Sequence, residues 1–139
     1  MKVLEFAFDP VTPSNYLPHR IQENCICYLG THDNETLYQW CRNISPECEA
    51  YTRRYLKIKK EDDLPQTVLQ AGMNSRAMLF VAQMQDYLHL AGEARMNEPG
   101  ICKPENWTWR MDSHALSRKL AAEIAEITEK AGRAPGGTK

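Results

Sequence analysis

ENCICYLGTHDNETLYQWC, residues 23–41, is a strand, a turn and a helix in succession. ENCICYL (23–29) is a short apolar run with strand-forming residue types, so it reads as a buried strand. ETLYQWC (35–41) has the residue types of a helix, with Asp33 or Asn34 available to cap its start. Between them GTHDNET (30–36) sets His32 and Asp33 where the strand runs out into the turn. Why an ionisable pair sits there depends on what the rest of the chain builds around it.

Working outward, the same alternation recurs. VLEFAF (3–8) is an apolar and aromatic run that ends at Asp9-Pro10, with Pro13 and Pro18 soon after; it reads as a strand entering the loop FDPVTPSNYLPHR (8–20). Ser45-Pro46 opens a helix carrying Ala50, Tyr51, Arg54, Tyr55 and Ile58 at helical spacing. KIKKEDD (57–63) closes it as a solvated charge run. Leu64-Pro65 begins another helix through about Ser75, and AMLFVAQ (77–83) fits a third buried strand. Leu116, Leu120, Ile124, Ile127 and Ala131 make one apolar helix face behind an Asp112 or Ser113 cap, before a Gly/Pro-rich tail at 132–139. Strands that alternate with helices give the α/β class and a parallel sheet with crossover helices. Residues 1–131 form one unit, with no internal repeat or linker.

Composition limits the function. A formal net charge of −1, without a basic block, leaves no electrostatic footprint for nucleic acid or an anionic membrane. No apolar run approaches the roughly 20 residues of a membrane-spanning helix. The five cysteines form an odd set with no CxxC pair, and the N-terminus lacks the apolar stretch of a secretory signal. They read as reduced thiols of a cytoplasmic chain. Cys25 and Cys27 would share one strand face, but the usual zinc spacings are absent, so no metal and no cofactor is expected.

Polar residues concentrate after each expected strand: Asp9, then His32-Asp33-Asn34, then Gln85-Asp86 onward to Glu93, Arg95 and Asn97. In a (β/α)8 barrel that strand end carries the catalytic groups. Three strands cannot close such a barrel.

VLEFAFD (3–9), YLPH (16–19), YLGTHDNET (28–36), QDYLHLAGEARMNEPG (85–100) and NWTWR (106–110) together resemble, in order and spacing, the C-terminal part of the 4-alpha-glucanotransferase family, also called amylomaltases or disproportionating enzymes. The similarity runs from residue 1 to about residue 127. It implies a (β/α)8 (TIM) barrel and a retaining transfer of α-1,4-glucan segments between maltooligosaccharides. Such chemistry passes through an oxocarbenium-like transition state between a carboxylate nucleophile and a carboxyl general acid and base. On this resemblance Asp33 is the third carboxylate, which holds sugar hydroxyls and stabilises the distorted ring. His32 would bond the same sugar, Asn97 matches a glucan-contacting asparagine, and Arg95 and Glu93 are further substrate-side candidates.

No segment resembles the nucleophile or acid/base motifs, and Met1 falls where the family sequence enters its sixth strand. The expectation is therefore the last three strand-helix units, strands 6 to 8, with activity dependent on an upstream barrel region. A non-catalytic glucan-binding or assembly module derived from the family is the alternative. Each residue also has a plainer role. Asp33 would be a helix cap, His32 a turn histidine, and Arg95 and Glu93 would brace their loop. Trp107 and Trp109 alternate, so at least one is expected in the core rather than under a sugar. The role of Asp9 is open. An incomplete barrel would leave strand edges unpaired, with Val3, Leu4, Phe6 and Phe8 gated only by Lys2 and Glu5.

Overall fold

A computed structural model describes residues 1–12 and 14–135. Pro13 of the expected loop and residues 136–139 of the expected tail lie outside the described residues. The chain forms a three-stranded parallel sheet in the order β1 (Lys2–Val3), β2 (Ile26–Tyr28), β3 (Leu79–Val81). Lys2 and Val3 pair with Cys27 and Tyr28, and Ile26, Cys27 and Tyr28 pair with Leu79, Phe80 and Val81.

Helices α1 (Leu37–Asn43), α2 (Pro46–Leu56) and α3 (Leu64–Met73) connect β2 to β3. Their starts follow local chemistry. Ser45 accepts from Cys48 N–H ahead of Pro46, and Asp63 accepts from Gln66 N–H ahead of Leu64-Pro65. Lys57 closes α2 in the left-handed conformation at φ 57°. The cap of α1 is neither Asp33 nor Asn34 but Thr36, whose hydroxyl accepts from Gln39 N–H. After β3 come the short α4 (Met84–Tyr87) and then α5 (Arg118–Lys130), capped by Ser117 rather than by Asp112 or Ser113.

α3 lies close on the sheet because Gly72 has no side chain. A Cβ there would stand 2.5 Å from the Phe80 ring and 2.8 Å from Leu4 Cδ1. Val68, Leu69 and Met73 of the same helix join Leu4, Phe8, Cys27, Leu29, Leu37 and Trp40 in the core. Phe8 packs edge-on to Tyr55, with ring centroids 5.8 Å apart. The first residues of the expected tail are held: Arg133 donates to the carbonyls of Met73, Ser75 and Ala77.

Two strands differ from the sequence reading. VLEFAF is extended only at Val3, after which Leu4–Phe6 is one 3-10 turn, closed by Ala7 N–H to Leu4 O at 2.8 Å. Leu4 and Ala7 share one face of this turn and are fully buried, whereas Phe6 points out. The apolar run thus satisfies burial without alternating. Glu5 is buried too, so it gates no edge.

β3, expected to be buried, exposes Leu79 and Val81, and Met78 just before it is exposed too. Among the described residues it pairs only with β2 and has helices on one face alone. Strand alternation sends Cys27 and Phe80 toward those helices and leaves Ile26, Tyr28, Leu79 and Val81 on the open face. On α5, Ile127 and Ala131 pack on the core while Leu116 stays exposed.

An apolar open sheet face beside an unpaired strand edge favours association with another chain. The purified chain is expected to scatter light as species larger than its 16.0 kDa monomer. Leu79→Lys is expected to shift it toward the monomer.

Candidate functional site

The turn after β2 is built by its own side chains. Asn34 Oδ1 accepts from Thr31 N–H at 2.9 Å and from the Thr31 hydroxyl at 2.7 Å, while Asn34 N–H returns to Thr31 O at 3.0 Å. This reciprocal pair folds the backbone at His32-Asp33 outward. From the end of β3, the Gln83 side-chain amide donates to Thr31 O at 3.1 Å.

The loop after β3 then closes over the turn. Asn97 N–H donates to His32 O at 3.1 Å, and the Asn97 side-chain NH2 donates to Asp33 Oδ1 at 2.7 Å. Arg95 spans both segments, with Nη2 on Asp33 O at 2.8 Å and Nε on Asn97 O at 2.9 Å. Residues 64 positions apart are thereby locked together by both main chain and side chain.

His32 Nε2 lies 3.4 Å from Asp33 Oδ1. Both side chains keep about half their surface in solvent. His32 and Asn97 both reach Asp33 at Oδ1. The Trp107 ring stands against the His32 ring with centroids 5.1 Å apart. Trp107 adopts φ 67°, a strained left-handed conformation for a bulky residue, and its N–H donates to Met96 O at 2.7 Å.

On an extended segment Trp107 and Trp109 would alternate, with at least one of them in the core. Instead Trp107 is half exposed at a turn beside His32, and Trp109 is only partly buried. The missed signal was Asn106, whose side chain accepts from Glu98 N–H and donates to Ile101 O, stapling a loop rather than a strand.

Of the residues expected at the site, Asp33, His32, Asn97 and Arg95 come together. Glu93 does not join them: it is exposed, and its carboxylate accepts from Ala91 N–H at 3.0 Å. Backbone donors hold its pKa below the ordinary value, which is how a loop-bracing carboxylate behaves. Asp9 behaves alike, taking Val11 N–H at 2.8 Å, with its pKa lowered by backbone donors.

Asp86, named in the sequence only as a polar neighbour, is buried behind the turn. It accepts from Leu37 N–H at 2.9 Å and Gln83 N–H at 3.2 Å, so one carboxylate joins the start of α1 to the start of α4. Burial raises its pKa against those two donors. Among the described residues no group of three or more His, Cys, Asp or Glu side chains could hold a metal ion. No helix among them is long and apolar enough to cross a membrane.

The sequence profile described as 4-alpha-glucanotransferase matches residues 1–116. The chain belongs to the 4-alpha-glucanotransferase family. It is 40% identical to the 4-alpha-glucanotransferase of Thermus thermophilus, an alignment covering 94% of this chain and 28% of that protein. The Clostridium butyricum 4-alpha-glucanotransferase is 35% identical, over 96% of this chain and 27% of its own length. Among solved structures, an amylomaltase from Streptococcus agalactiae in complex with acarbose superposes with a TM-score of 0.88 at 35% identity, covering 96% of this chain and 27% of that one. The chain thus spans little more than a quarter of the length of these relatives.

The capping geometry separates two roles by stability. Thr36→Ala is expected to destabilise the chain by about 1 kcal/mol, the usual value of a lost cap. Asp33→Asn keeps an oxygen toward Asn97 at a half-exposed position and is expected to cost about 0.5 kcal/mol or less. Urea denaturation of the two variants measures the difference.

Proposed function

We propose that this chain forms the last three strand-helix units, strands 6 to 8, of a (β/α)8 barrel that transfers α-1,4-glucan segments by a retaining mechanism. Asp33 is its transition-state-stabilising carboxylate. The observation that carries this reading is the Asp33–Asn97 hydrogen bond, which unites the turn after β2 with the loop after β3. Two neighbouring parallel strands thus present one half-exposed carboxylate at their carboxyl ends, the catalytic end of such barrels. His32 and Trp107 flank it with a polar and an aromatic surface, the two kinds of contact a sugar ring accepts.

In the proposed reaction, a nucleophilic carboxylate from the upstream region attacks the anomeric carbon while a carboxylic acid protonates the departing glycosidic oxygen. The glycosyl-enzyme then gives up its sugar to a hydroxyl of the acceptor glucan, deprotonated by that same acid/base residue. Each half passes through a ring that carries positive charge. The negative charge of Asp33 favours that ring over the neutral ground state, and hydroxyl contacts from His32, Asn97 and Asp33 hold it in place. Arg95 sets the Asp33 main chain, through its bonds to Asp33 O and Asn97 O. Five free cysteines agree with the cytoplasmic setting of this reading.

The purified chain is expected to release no glucose from maltotriose. Exchanged for the matching segment of a complete family enzyme, it should support turnover, and Asp33→Asn should lower kcat about 10²-fold with the melting temperature kept. Near-normal turnover in that variant would reduce Asp33 to a structural residue. Failure of the wild-type exchange to support any turnover, with glucan still bound, would favour the non-catalytic binding module.

A further inference from the structure

Directly beneath the Asp33 turn lies a carboxyl group that the glucan chemistry leaves unused. Glu5 follows β1, and its N–H donates to Leu29 O at 3.2 Å, which extends the β1–β2 pairing by one bond. Only 8% of the residue is exposed, and Oε1 has no hydrogen-bond partner among the described residues. The carboxyl lies against the backbone of Gly30. A Cβ at Gly30 would stand 2.6 Å from Glu5 Oε1 and 3.0 Å from both Glu5 Cδ and Asn34 Cβ. A side chain at residue 30 would displace that carboxyl.

We propose that Glu5 is the positioning residue of the Asp33 turn: its buried carboxyl, wedged against Gly30 and Asn34, sets the Thr31–Asn34 turn over the strand ends. Asn34 is the link. Its Oδ1 is occupied by Thr31, so its NH2 is the group that faces Glu5. Pressure or slack at Glu5 therefore reaches Thr31, and through the Thr31 hydroxyl reaches Asp33 N–H at 3.4 Å.

The surroundings favour the neutral form. Asp86 of α4, Glu35 before α1 and the Cys41 thiol of α1 all face Glu5, against the single guanidinium of Arg95. Burial first, then Asp86 and Glu35, push the Glu5 pKa up to about 9, while Arg95 and Asn34 oppose them. The folded chain thus keeps a proton that the unfolded chain releases near 4.5, so stability falls as pH rises between 4.5 and 9. An amide shares the shape and carries no charge, so Glu5→Gln is expected to abolish that decline.

Two measurements test the proposal. Isotope-edited infrared difference spectra between wild-type chain and Glu5→Gln read the protonated carboxyl directly and involve no glucan. The protonated band should persist at neutral pH and vanish with a midpoint near 9. In the exchanged enzyme used for the proposed reaction, Glu5→Gln should hold kcat within about twofold, and Glu5→Ala should lower it about tenfold or more by releasing the turn. A midpoint in the ordinary carboxylate range, or loss of turnover by Glu5→Gln alongside Glu5→Ala, overturns the proposal. The catalytic reading of Asp33 supplies only the kcat readout, so the infrared titration stands even if that reading fails or Glu5→Ala does not fold.

Discussion

The bond from the Asn97 side chain to Asp33 Oδ1 is the constraint on which the site depends. A half-exposed carboxylate on a short turn would otherwise move with that turn. Here the turn is fastened at several points: Asn97 N–H on His32 O, Arg95 on Asp33 O, and Gln83 on Thr31 O. All four of these groups come from the chain after β3, so the register of β3 against β2 decides where Asp33 points. A one-residue slip of β3 would carry Gln83 away from Thr31 and turn Leu79 and Val81 toward the helices.

Below this polar layer the structure spends its buried carboxyls on alignment. Asp86 receives the first N–H of α1 and the N–H of Gln83, which joins the two strand-helix units at their starts. Glu5 fills the space that Gly30 leaves open. Beneath the turn these two buried acids face the Arg95 guanidinium, which bonds to the Asp33 main-chain carbonyl. The helices do the rest through the close approach at Gly72, which presses α3 against Leu4 and Phe80.

Much of this was legible in the residues. Ser45-Pro46 and Leu64-Pro65 announce helix starts through chemistry local to each, and the structure places α2 and α3 there. ENCICYL contains β2, and the α/β class with a parallel sheet follows from the alternation of elements. What was not legible depends on contacts distant in sequence. Asp33 and Thr36 are both good caps by type; Thr36 caps α1, while Asp33 is held by Asn97, 64 positions away. VLEFAF looks like a strand because composition cannot distinguish extended burial from burial in a 3-10 turn. AMLFVAQ looks buried because its apolar residues face an open side of the sheet that local sequence does not reveal. Glu5 looks like a solvated gatekeeper, and its burial follows from Gly30, 25 positions later.

The central claim is that Asp33 is aimed at a sugar by the loop that follows β3. A crystal structure of a complete family enzyme carrying this chain, with a maltooligosaccharide bound, tests it most directly. The account predicts that the Asp33 carboxylate accepts sugar hydroxyls while Asn97 keeps its bond to that carboxylate and Arg95 its bond to the Asp33 main-chain carbonyl, with the His32 and Trp107 rings beside the same sugar. A glucan bound elsewhere, with Asp33 turned from it and engaged only by its own loops, would contradict the account.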